Sequence, residues 1–458
     1  MFFFPQSAVN EFQVVRSGAG ADIGRTAAGF VNVVTKSGTN ETRGDAFYHN
    51  RNRKLTSADA FDQNLNDPQI VITGFGTLGG DTGRPRVFKN TRTQVTNNLT
   101  RVSGRTELKV GIDFNLTDAQ QQRESNTLGR FDYTSLANYL AGNVSRYRQT
   151  VAGFDPDDLI YRGTQKELGI YVQDTVRLPQ VTLNAGLRWD GQWNPQPTQP
   201  NPVLAAISTI PNDHSMWQPR LGMAWDVRGN ARTVVRASAG LYNARTPANF
   251  FQRVFTDNGL TTVAVDSRTD PRILGWVAGG KALEMLPAVT AIPAQRVFGF
   301  APEFQNSTTL QSAVLLDQQL TERTMVSIGY VNAQSDHLQR RLDKNLGAPT
   351  PNAAGLPIYP ATRPNTAFAQ IEVNESLAQS DYNALVLTAT ERRGRLFAQV
   401  NYTFAVNKDD DSNERNFSRE TTLDVFNPGA EYTYSKQDVR HAFNISSVVN
   451  LGYGITFG

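Results

Sequence analysis

The stretch Leu108-Lys-Val-Gly-Ile-Asp-Phe-Asn-Leu116 alternates apolar and polar residues without a break. Successive side chains of a β-strand point to opposite faces, so this stretch predicts a strand with one apolar face and one polar face. The same alternation recurs at residues 181–190, 232–241 and 396–404. Strands of about ten residues with this period are typical of a membrane-spanning β-barrel, whose outside meets lipid and whose lumen holds water.

The composition excludes several other classes of protein. The 458 residues are 39% hydrophobic and 19% charged, and no run approaches the roughly 18 consecutive apolar residues of a transmembrane helix. The absence of cysteine excludes disulfides and thiolate metal sites. The 45 basic and 42 acidic residues give a net charge of +3. The basic residues are scattered along the chain, so nucleic-acid binding is not expected.

The predicted strands come in pairs, and each pair is joined by a short turn. One example is the connection Val102-Ser-Gly-Arg105, which contains the glycine that hairpin turns favour. Long polar segments separate the pairs, at residues 192–216, 243–305, 333–381 and 406–437. Short turns at one end and long loops at the other are typical of outer-membrane barrels, with the loops outside the cell. The alternative fold, a soluble β-sandwich or propeller, usually has short loops at both ends.

The N-terminal part of the chain resembles a known family. The run Gly29-Phe-Val-Asn-Val-Val-Thr-Lys-Ser-Gly-Thr-Asn40 is similar to the end of the plug domain in TonB-dependent outer-membrane receptors, in their Oar-like branch. Further similar stretches follow in the family's order, among them residues 131–142, 171–174, 219–225 and 438–441. The resemblance is therefore collinear and covers nearly the whole chain.

The resemblance implies an all-β fold, a transmembrane antiparallel β-barrel with a plug domain folded inside it. Receptors of this kind have about 22 strands. This chain is expected to supply about twelve, or fourteen if residues 146–152 and 431–436 also form strands. Residues 1–40 would be the C-terminal end of the plug, and residues 41–458 an incomplete barrel with long extracellular loops. The first residues lack the features of a signal peptide, so we expect a fragment whose missing N-terminal region would contact a periplasmic TonB protein.

Two sets of residues are candidates for function. In the first, the plug-end motif, glycines would serve tight turns or a close approach of the backbone. The second is a set of polar residues predicted to face the lumen, where they would form a hydrated wall for a polar cargo. The alternative is that these polar residues only solvate the lumen. The plug-end motif comprises Gly29, Val31, Asn32, Val34, Thr35, Lys36 and Gly38, and the lumen-facing candidates are Arg188, Asp190, Arg236, Gln399 and Asn401.

No catalytic, cofactor-binding or metal-binding site is predicted, and an enzyme is not expected. The four histidines lie far apart and form no metal-binding pattern. The acidic run Asp409-Asp-Asp411 leaves a Ca²⁺ site open, but Glu414 stands where an EF-hand loop needs glycine, which favours a solvated charge run. Four tryptophans near predicted strand ends indicate aromatic belts at the membrane interfaces, namely Trp189, Trp193, Trp217 and Trp225.

These observations predict a protein of the cell outer membrane, in contact with outer-membrane lipid. By the family resemblance it would transport a bulky nutrient, such as a peptide, a glycan or a metal chelate, with energy supplied through TonB. Its loops would bind an unknown extracellular ligand. The alternative is a surface barrel that supports adhesion or secretion and transports nothing. The plug end separates the two hypotheses, because an adhesion barrel has no need of a gate.

Overall fold

The computed structural model describes residues 9–15, 18–25, 30–35, 67–83, 87–122, 125–287, 290–411, 422–452 and 455–458. Most of these residues form β-strands. The strands, in chain order, are β1 (Val9–Val15), β2 (Phe30–Thr35), β3 (Gln69–Ile72), β4 (Gly76–Gly79), β5 (Val87–Ser103), β6 (Thr106–Gln122), β7 (Arg130–Tyr133), β8 (Arg146–Ala152), β9 (Tyr161–Arg177), β10 (Val181–Trp193), β11 (Asp213–Asp226), β12 (Thr233–Asn243), β13 (Thr262–Asp266), β14 (Gln295–Phe300), β15 (Thr308–Gln319), β16 (Thr324–Asp343), β17 (Thr350–Pro351), β18 (Pro357–Ile358), β19 (Phe368–Arg393), β20 (Leu396–Asp409), β21 (Thr433–Tyr434), β22 (His441–Gly452) and β23 (Ile455–Phe457).

The helices are short and lie in the connections between strands. Among the described residues, none of them has the length and apolar character needed to cross a membrane. The α-helices are α1 (Leu136–Leu140), α2 (Ala205–Ser208), α3 (Gln252–Thr256) and α4 (Ile273–Trp276), and single 3₁₀ turns lie at Pro156–Leu159, Pro202–Leu204, Ala248–Phe251 and Pro428–Glu431.

One large antiparallel sheet forms the body of the protein. Twelve strands follow one another as neighbours in the order β5-β6-β9-β10-β11-β12-β15-β16-β19-β20-β22-β23. Each pair in this series is antiparallel, for example β5 with β6 and β10 with β11. The predicted antiparallel architecture and the count of about twelve strands are confirmed. Within the described strands, β5 and β23 each have one neighbour in the series, so the sheet is not closed into a ring.

The two faces of the sheet separate apolar from polar side chains as the alternation predicts. On β6, Leu108, Ile112 and Phe114 are exposed, whereas Asn115 is fully buried. Asp113, on the same face as Asn115, forms ion pairs with arginines on the other side of the sheet from the exposed residues. An apolar face left exposed over a whole sheet is stable only against lipid, so this face is the outside of the barrel.

Tryptophans mark the two ends of the apolar face. Trp217 and Trp225 lie eight residues apart on β11 and are both exposed. At about 3.4 Å per residue they are roughly 27 Å apart along the strand. At a tilt of about 35–45° this distance spans about 19–22 Å of membrane, a little less than an apolar band about 25 Å tall. Trp189 pairs with Trp217 across the strands, with ring centroids 6.3 Å apart. This spacing fits the interpretation of the tryptophans as interfacial belts.

Connections at the two ends of the sheet differ in length. At one end, short turns join β5 to β6, β11 to β12 and β19 to β20, and each of these turns contains a glycine with positive φ, at Gly104, Gly229 and Gly394. Only glycine adopts this conformation without steric strain, so these residues permit the tight reversal. At the other end, long segments join β6 to β9 and β12 to β15. The predicted asymmetry of turns and loops is present in the structure.

Three of the segments at the long-loop end fold together into a second sheet, which we call the cap sheet. Its strand order is β13-β8-β7-β3-β4. The strands come from before β5, from between β6 and β9 and from between β12 and β15. One side of the cap sheet packs on a buried apolar core of Ile72, Phe131, Tyr133, Tyr147, Val151, Val263, Val265, Ile273 and Val277.

The structure corrects one expectation about the strand count. Residues 146–152 form a strand, but this strand is β8 of the cap sheet and not part of the barrel wall. Its apolar residues Tyr147 and Val151 are buried in the core of the cap, which is the physical reason for its position. Residues 431–436 contain β21, which pairs with the loop end of β20 as an addition to the large sheet.

A buried network of side chains fixes the connections of the cap. Asp270 accepts hydrogen bonds from the side chain of Arg272 and from the backbone N–H of Ala291. The Arg272 guanidinium holds the pKa of the Asp270 carboxyl below its ordinary value, with help from the backbone donors. Gln149, which is buried, bonds to the carbonyls of Thr127 and Leu283. The loops are therefore joined to one another by specific polar contacts as well as by the apolar core.

The orientation of the apolar face leads to a prediction at Ile112. Replacing Ile112 with arginine should lower the free energy of unfolding in lipid vesicles by about 2–4 kcal/mol, because a charged side chain near the bilayer midplane is poorly solvated. The control is Val203→Arg, which places the same charge on an exposed apolar residue in the loop between β10 and β11. Equal destabilisation by the two substitutions in a denaturant titration would mean that Ile112 does not face lipid.

Candidate functional site

Residues 18–25, with the sequence Gly-Ala-Gly-Ala-Asp-Ile-Gly-Arg, lie against the polar face of the large sheet. We call these residues the docked segment, and the polar face of β6 and β9 to β12 that surrounds them the inner wall. Ala21, in the middle of the segment, is fully buried. Its backbone N–H donates a hydrogen bond of 2.6 Å to Oε1 of Gln173 on β9. The inner wall is therefore covered by another part of the chain.

Glycines in the docked segment allow its backbone to approach the wall closely. A Cβ atom added to Gly20 would lie 2.7 Å from Oε1 of Gln173, and one added to Gly24 would overlap the guanidinium of Arg188. Gly18 has a φ of +69°, a conformation that favours glycine. At Gly24 in particular, a larger residue would have to displace either the buried Arg188 guanidinium or the segment itself.

Arg220 on β11 holds the backbone of the docked segment. Its Nη1 donates hydrogen bonds to the carbonyl of Ile23 at 2.6 Å and to the carbonyl of Gly20. The guanidinium stacks on the ring of Tyr242, 4.2 Å from the centroid, and the Tyr242 hydroxyl donates to the carbonyl of Ala19 at 3.2 Å. A guanidinium directed at main-chain carbonyls recognises the path of the backbone and not the side chains of the segment.

Arg188 and Asp190, both predicted to face the lumen, meet on β10 next to the docked segment. Nη2 of Arg188 lies 2.7 Å from Oδ1 of Asp190, and Nη1 of Arg188 lies 3.5 Å from the carbonyl of Ala21. Gln218 donates to the other carboxylate oxygen of Asp190 at 2.7 Å. Gly169 on β9 has no side chain, and a Cβ atom at this position would overlap the side chains of Arg188 and Asp190. Arg188 is almost completely buried, and these partners compensate for the loss of water around its guanidinium.

Arg25 joins the end of the docked segment to two other strands by ion pairs. Its guanidinium lies 2.9 Å from Asp113 on β6 and 3.2 Å from Glu167 on β9. Glu167 also accepts from Arg245, at 3.0 Å. Arg25 has a φ of 63°, which costs about 1 kcal/mol or more for a residue other than glycine. The two carboxylate contacts offset this cost and fix where the segment ends.

The other three lumen-facing candidates lie away from this site. Arg236 forms an ion pair with Asp317 and is more than half exposed. Asn401 on β20 accepts hydrogen bonds from Thr388 at 3.0 Å and from Gln399 at 3.3 Å. These side chains line the polar face but do not touch the docked segment. The structure thus brings together two of the five predicted wall residues.

Several residues of the site were missed by the sequence reasoning. The alternation of Gln218-Pro-Arg220 on β11 is a signal that would have placed Gln218 and Arg220 on one face with the other wall residues. No signal in the sequence indicates that their partners are backbone carbonyls. Asp113 is expected on the polar face but not as a partner of Arg25, and the residues missed altogether are Glu167, Gln173, Gln218, Arg220 and Tyr242.

The plug-end motif lies beside the docked segment in the sequence and forms part of a separate small sheet. Val31, Asn32, Val34 and Thr35 belong to β2, which pairs with β1 in an antiparallel register that sets Val14 opposite Val31. Among the described strands, β2 has no partner in the large sheet. Gly29, Lys36 and Gly38 lie outside the described residues. The assignment of residues 1–40 to a plug stays a prediction.

Within the described part of the chain, no three His, Asp or Glu side chains converge in a way that would hold a metal ion. At the acidic run, Asp410 is buried and accepts a hydrogen bond from the backbone N–H of Gln379 at 2.8 Å. Burial, reinforced by the neighbouring Asp409 and Glu431, raises the pKa of the Asp410 carboxyl. Residues 412–421, which include Glu414, lie outside the described residues.

A comparison with protein families matches residues 63–457 to the model of the outer membrane beta barrel domain. A search of curated proteins finds no match. Solved structures with a similar fold include the outer membrane transporter YddB from Escherichia coli, at 12% identity and a TM-score of 0.48. They also include the FrpB iron transporter of Neisseria meningitidis in its F5-1 variant, at 12% and 0.45, and the siderophore receptor PirA of Acinetobacter baumannii, at 8% and 0.44.

The matches cover most of this chain but less than half of each solved protein. They span 75%, 80% and 84% of this chain for YddB, FrpB and PirA, and 37%, 42% and 44% of those proteins respectively. The chain thus spans well under half the length of the structures that it resembles.

Proposed function

The chain belongs to the outer membrane beta barrel domain family, and from this premise we propose that it is part of a gated, TonB-dependent importer of a bulky polar nutrient. The family and the exposed apolar face of the sheet place it in the cell outer membrane. A peptide, a glycan or a metal chelate would each suit the polar inner wall. Residues 1–40 would be the end of the plug and residues 41–458 the barrel that surrounds it.

The observation that carries the proposal is the docked segment. A passive pore needs an open polar lumen, whereas here the buried Ala21 and the carbonyls around it cover the part of the wall where Arg188 and Arg220 lie. The covering segment belongs to the same chain as the wall and contacts it through reversible hydrogen bonds and ion pairs. These features suit a gate that moves aside and returns.

The contacts of the docked segment also explain why opening would need an energy supply. Each hydrogen bond to a charged group contributes about 1.5–3 kcal/mol. Arg220 donates two such bonds to the segment, Arg188 adds a longer one at 3.5 Å, and Arg25 adds two ion pairs. Thermal motion would rarely break all of them together. A pull on the docked segment, applied by a periplasmic TonB protein to the chain that carries it, would separate these contacts and expose the wall to the cargo.

The alternative is a surface barrel for adhesion or secretion support. The long loops and the cap sheet suit that function equally well. The docked segment favours transport, because an adhesion barrel gains nothing from a covered inner wall.

Growth experiments in the source cells would test the proposal. Strains that lack either this gene or tonB are grown with peptides, oligosaccharides or ferric chelates as the sole source of nitrogen, carbon or iron. We expect both strains to lose growth on the same nutrient, and a copy of this gene to restore it only in the strain that retains tonB. Reduced surface adhesion in the gene deletion strain, with unchanged growth on every nutrient, would instead support the alternative.

A further inference from the structure

Three arginines from different elements surround one aromatic ring at the long-loop end of the barrel. Their guanidinium carbons lie 3.3 Å (Arg253), 5.2 Å (Arg296) and 5.4 Å (Arg341) from the ring centroid of Phe298. The arginines belong to α3, β14 and β16, and Phe298 lies on β14. We call these four residues the arginine cluster. It lies outside the docked segment and its wall.

The charges of the cluster do not balance. Arg253 pairs with Asp257 at 2.6 Å. Arg341 pairs with Glu372 at 2.8 Å, and Arg296 pairs with the same Glu372, which is completely buried. Among the described residues, three guanidinium groups therefore share two carboxylates, which leaves one positive charge in excess. Nε of Arg296 is buried and has no hydrogen-bond partner in the part of the chain that the structure describes.

A purely structural role does not account for this excess. A cluster that only joined the loop between β12 and β15 to the paired strands β16 and β19 would be most stable with balanced charges, because an uncompensated charge near the interior is poorly solvated. The face of Phe298 attracts cations, but the attraction is about 0.5–2 kcal/mol and mainly favours the stacked Arg253. The cluster thus has room for one more negative charge.

Two of the three arginines of the cluster are partly exposed. The side chains of Arg253 and Arg296 are each 33% exposed, whereas that of Arg341 is 2% exposed. The residue before Arg296, Gln295, bonds through its side chain to both backbone groups of Ala264 on β13, at 2.9 and 3.0 Å. The start of β14 therefore lies where the cap sheet meets the large sheet, among the loops that face the outside of the cell.

We infer that the arginine cluster binds an anionic oxygen group, a carboxylate or a phosphate, between Arg253 and Arg296. Guanidinium groups bind such anions through paired, charge-assisted hydrogen bonds. Arg341, Phe298 and the two carboxylates would hold the two exposed arginines in position before the anion arrives. Binding of an anion by the cluster does not depend on the proposed function. The inference rests on the proposed function only for the identification of this anion as part of the nutrient that the loops capture.

The test is a binding titration with inorganic phosphate and, separately, with citrate. The full chain is used in detergent at low ionic strength, and heat of binding is measured. We expect saturable binding of at least one of the two probes, with affinity that falls as salt is added. The probe that binds more tightly distinguishes a phosphate ligand from a carboxylate ligand. An absence of saturable binding for both would overturn the inference.

Variants of the two exposed arginines locate the site. Arg296→Gln and Arg253→Gln should each weaken binding about tenfold or more, because each removes a charged donor. The control is Arg268→Gln, which removes an exposed arginine from the same loop outside the cluster and should leave the affinity unchanged. Arg296→Lys keeps the charge without the paired geometry, and its affinity should lie between those of Arg296→Gln and the unaltered protein. Equal affinity in all variants would overturn the inference.

The outcome is separable from that of the growth experiments. TonB-dependent growth without anion binding would overturn this inference and leave the proposed function intact. Anion binding that depends on Arg253 and Arg296 without any TonB-dependent growth would overturn the proposed function and leave this inference intact. Protease resistance of the cap sheet in Arg296→Gln confirms that the variant is folded. If that variant fails to fold, Arg253→Gln carries the test, because its partner Asp257 lies on the same loop.

Discussion

Replacing Gly24 with valine should release the docked segment from the inner wall. The added Cβ atom would overlap the guanidinium of Arg188. Arg188 has little freedom to move, because it is almost completely buried and paired with Asp190 at 2.7 Å. The segment would have to shift, and its bonds to Arg220 and Arg188 would lengthen or break. Losing even one charge-assisted hydrogen bond, about 1.5–3 kcal/mol, raises the undocked fraction about tenfold or more.

Cysteine labelling can measure this release, because the chain contains no cysteine. Ala21→Cys introduces a single thiol at a fully buried position of the docked segment. Labelling by a water-soluble maleimide should be slow in this variant and about tenfold or more faster when Gly24→Val is added. The matched control is Gly222→Val on β11, where an added Cβ atom meets only Asn184, at 3.7 Å. Rapid labelling before Gly24 is changed would show that the segment does not stay docked.

Replacing Phe131 with alanine should unfold the cap sheet without unfolding the barrel. Phe131 is 2% exposed, and its ring centroid lies 4.7 Å from that of Tyr147 in the core of the cap. Removing a buried phenyl ring costs about 3–5 kcal/mol. The five cap strands are four to seven residues long, so their separate core has little stability to lose. The membrane-spanning strands have other neighbours and should keep their pairing.

Limited proteolysis distinguishes the two parts of the molecule. In Phe131→Ala, cleavage should appear between β6 and β9 and between β12 and β15, while the strands embedded in detergent stay protected. The control, Leu140→Ala, changes an apolar residue of the same loop that is 76% exposed and should leave cleavage unchanged. If Phe131→Ala also makes the large sheet sensitive to protease, the cap and the barrel fold as one unit. Loss of nutrient-dependent growth in Phe131→Ala would assign ligand capture to the cap.

The large sheet and its orientation could be predicted from the sequence because they follow a local rule. The period of two in residues 108–116 sets which side chains share a face, and the outward Ile112 and inward Asp113 are placed as that rule requires. Glycine in short polar turns predicted the hairpins by an equally local rule, as at Gly104. Burial of a whole apolar face requires lipid, so the sequence alone was enough to predict the outer membrane.

The candidate site could be predicted only in part. Alternation identified Arg188 and Asp190 as wall residues, and they meet at 2.7 Å. It grouped them with Arg236, Gln399 and Asn401, which lie on the same polar face but elsewhere along the sheet. Alternation determines the face of a residue but carries no information about its neighbours across several strands. Those depend on the register of each hairpin and on which part of the chain covers the lumen.

The sequence by itself determined the strands, their two faces, the rhythm of short turns and long loops and the membrane in which the protein lies. Only the tertiary structure decided that residues 18–25 cover the inner wall, that three separate loops form a cap sheet and that three arginines surround Phe298. The physical reason is the range of the interactions. Strand faces follow from residues two positions apart, whereas Arg220 and the carbonyl of Ile23 are 197 residues apart in sequence. A backbone carbonyl is present at every residue, so no sequence pattern marks the one that Arg220 binds.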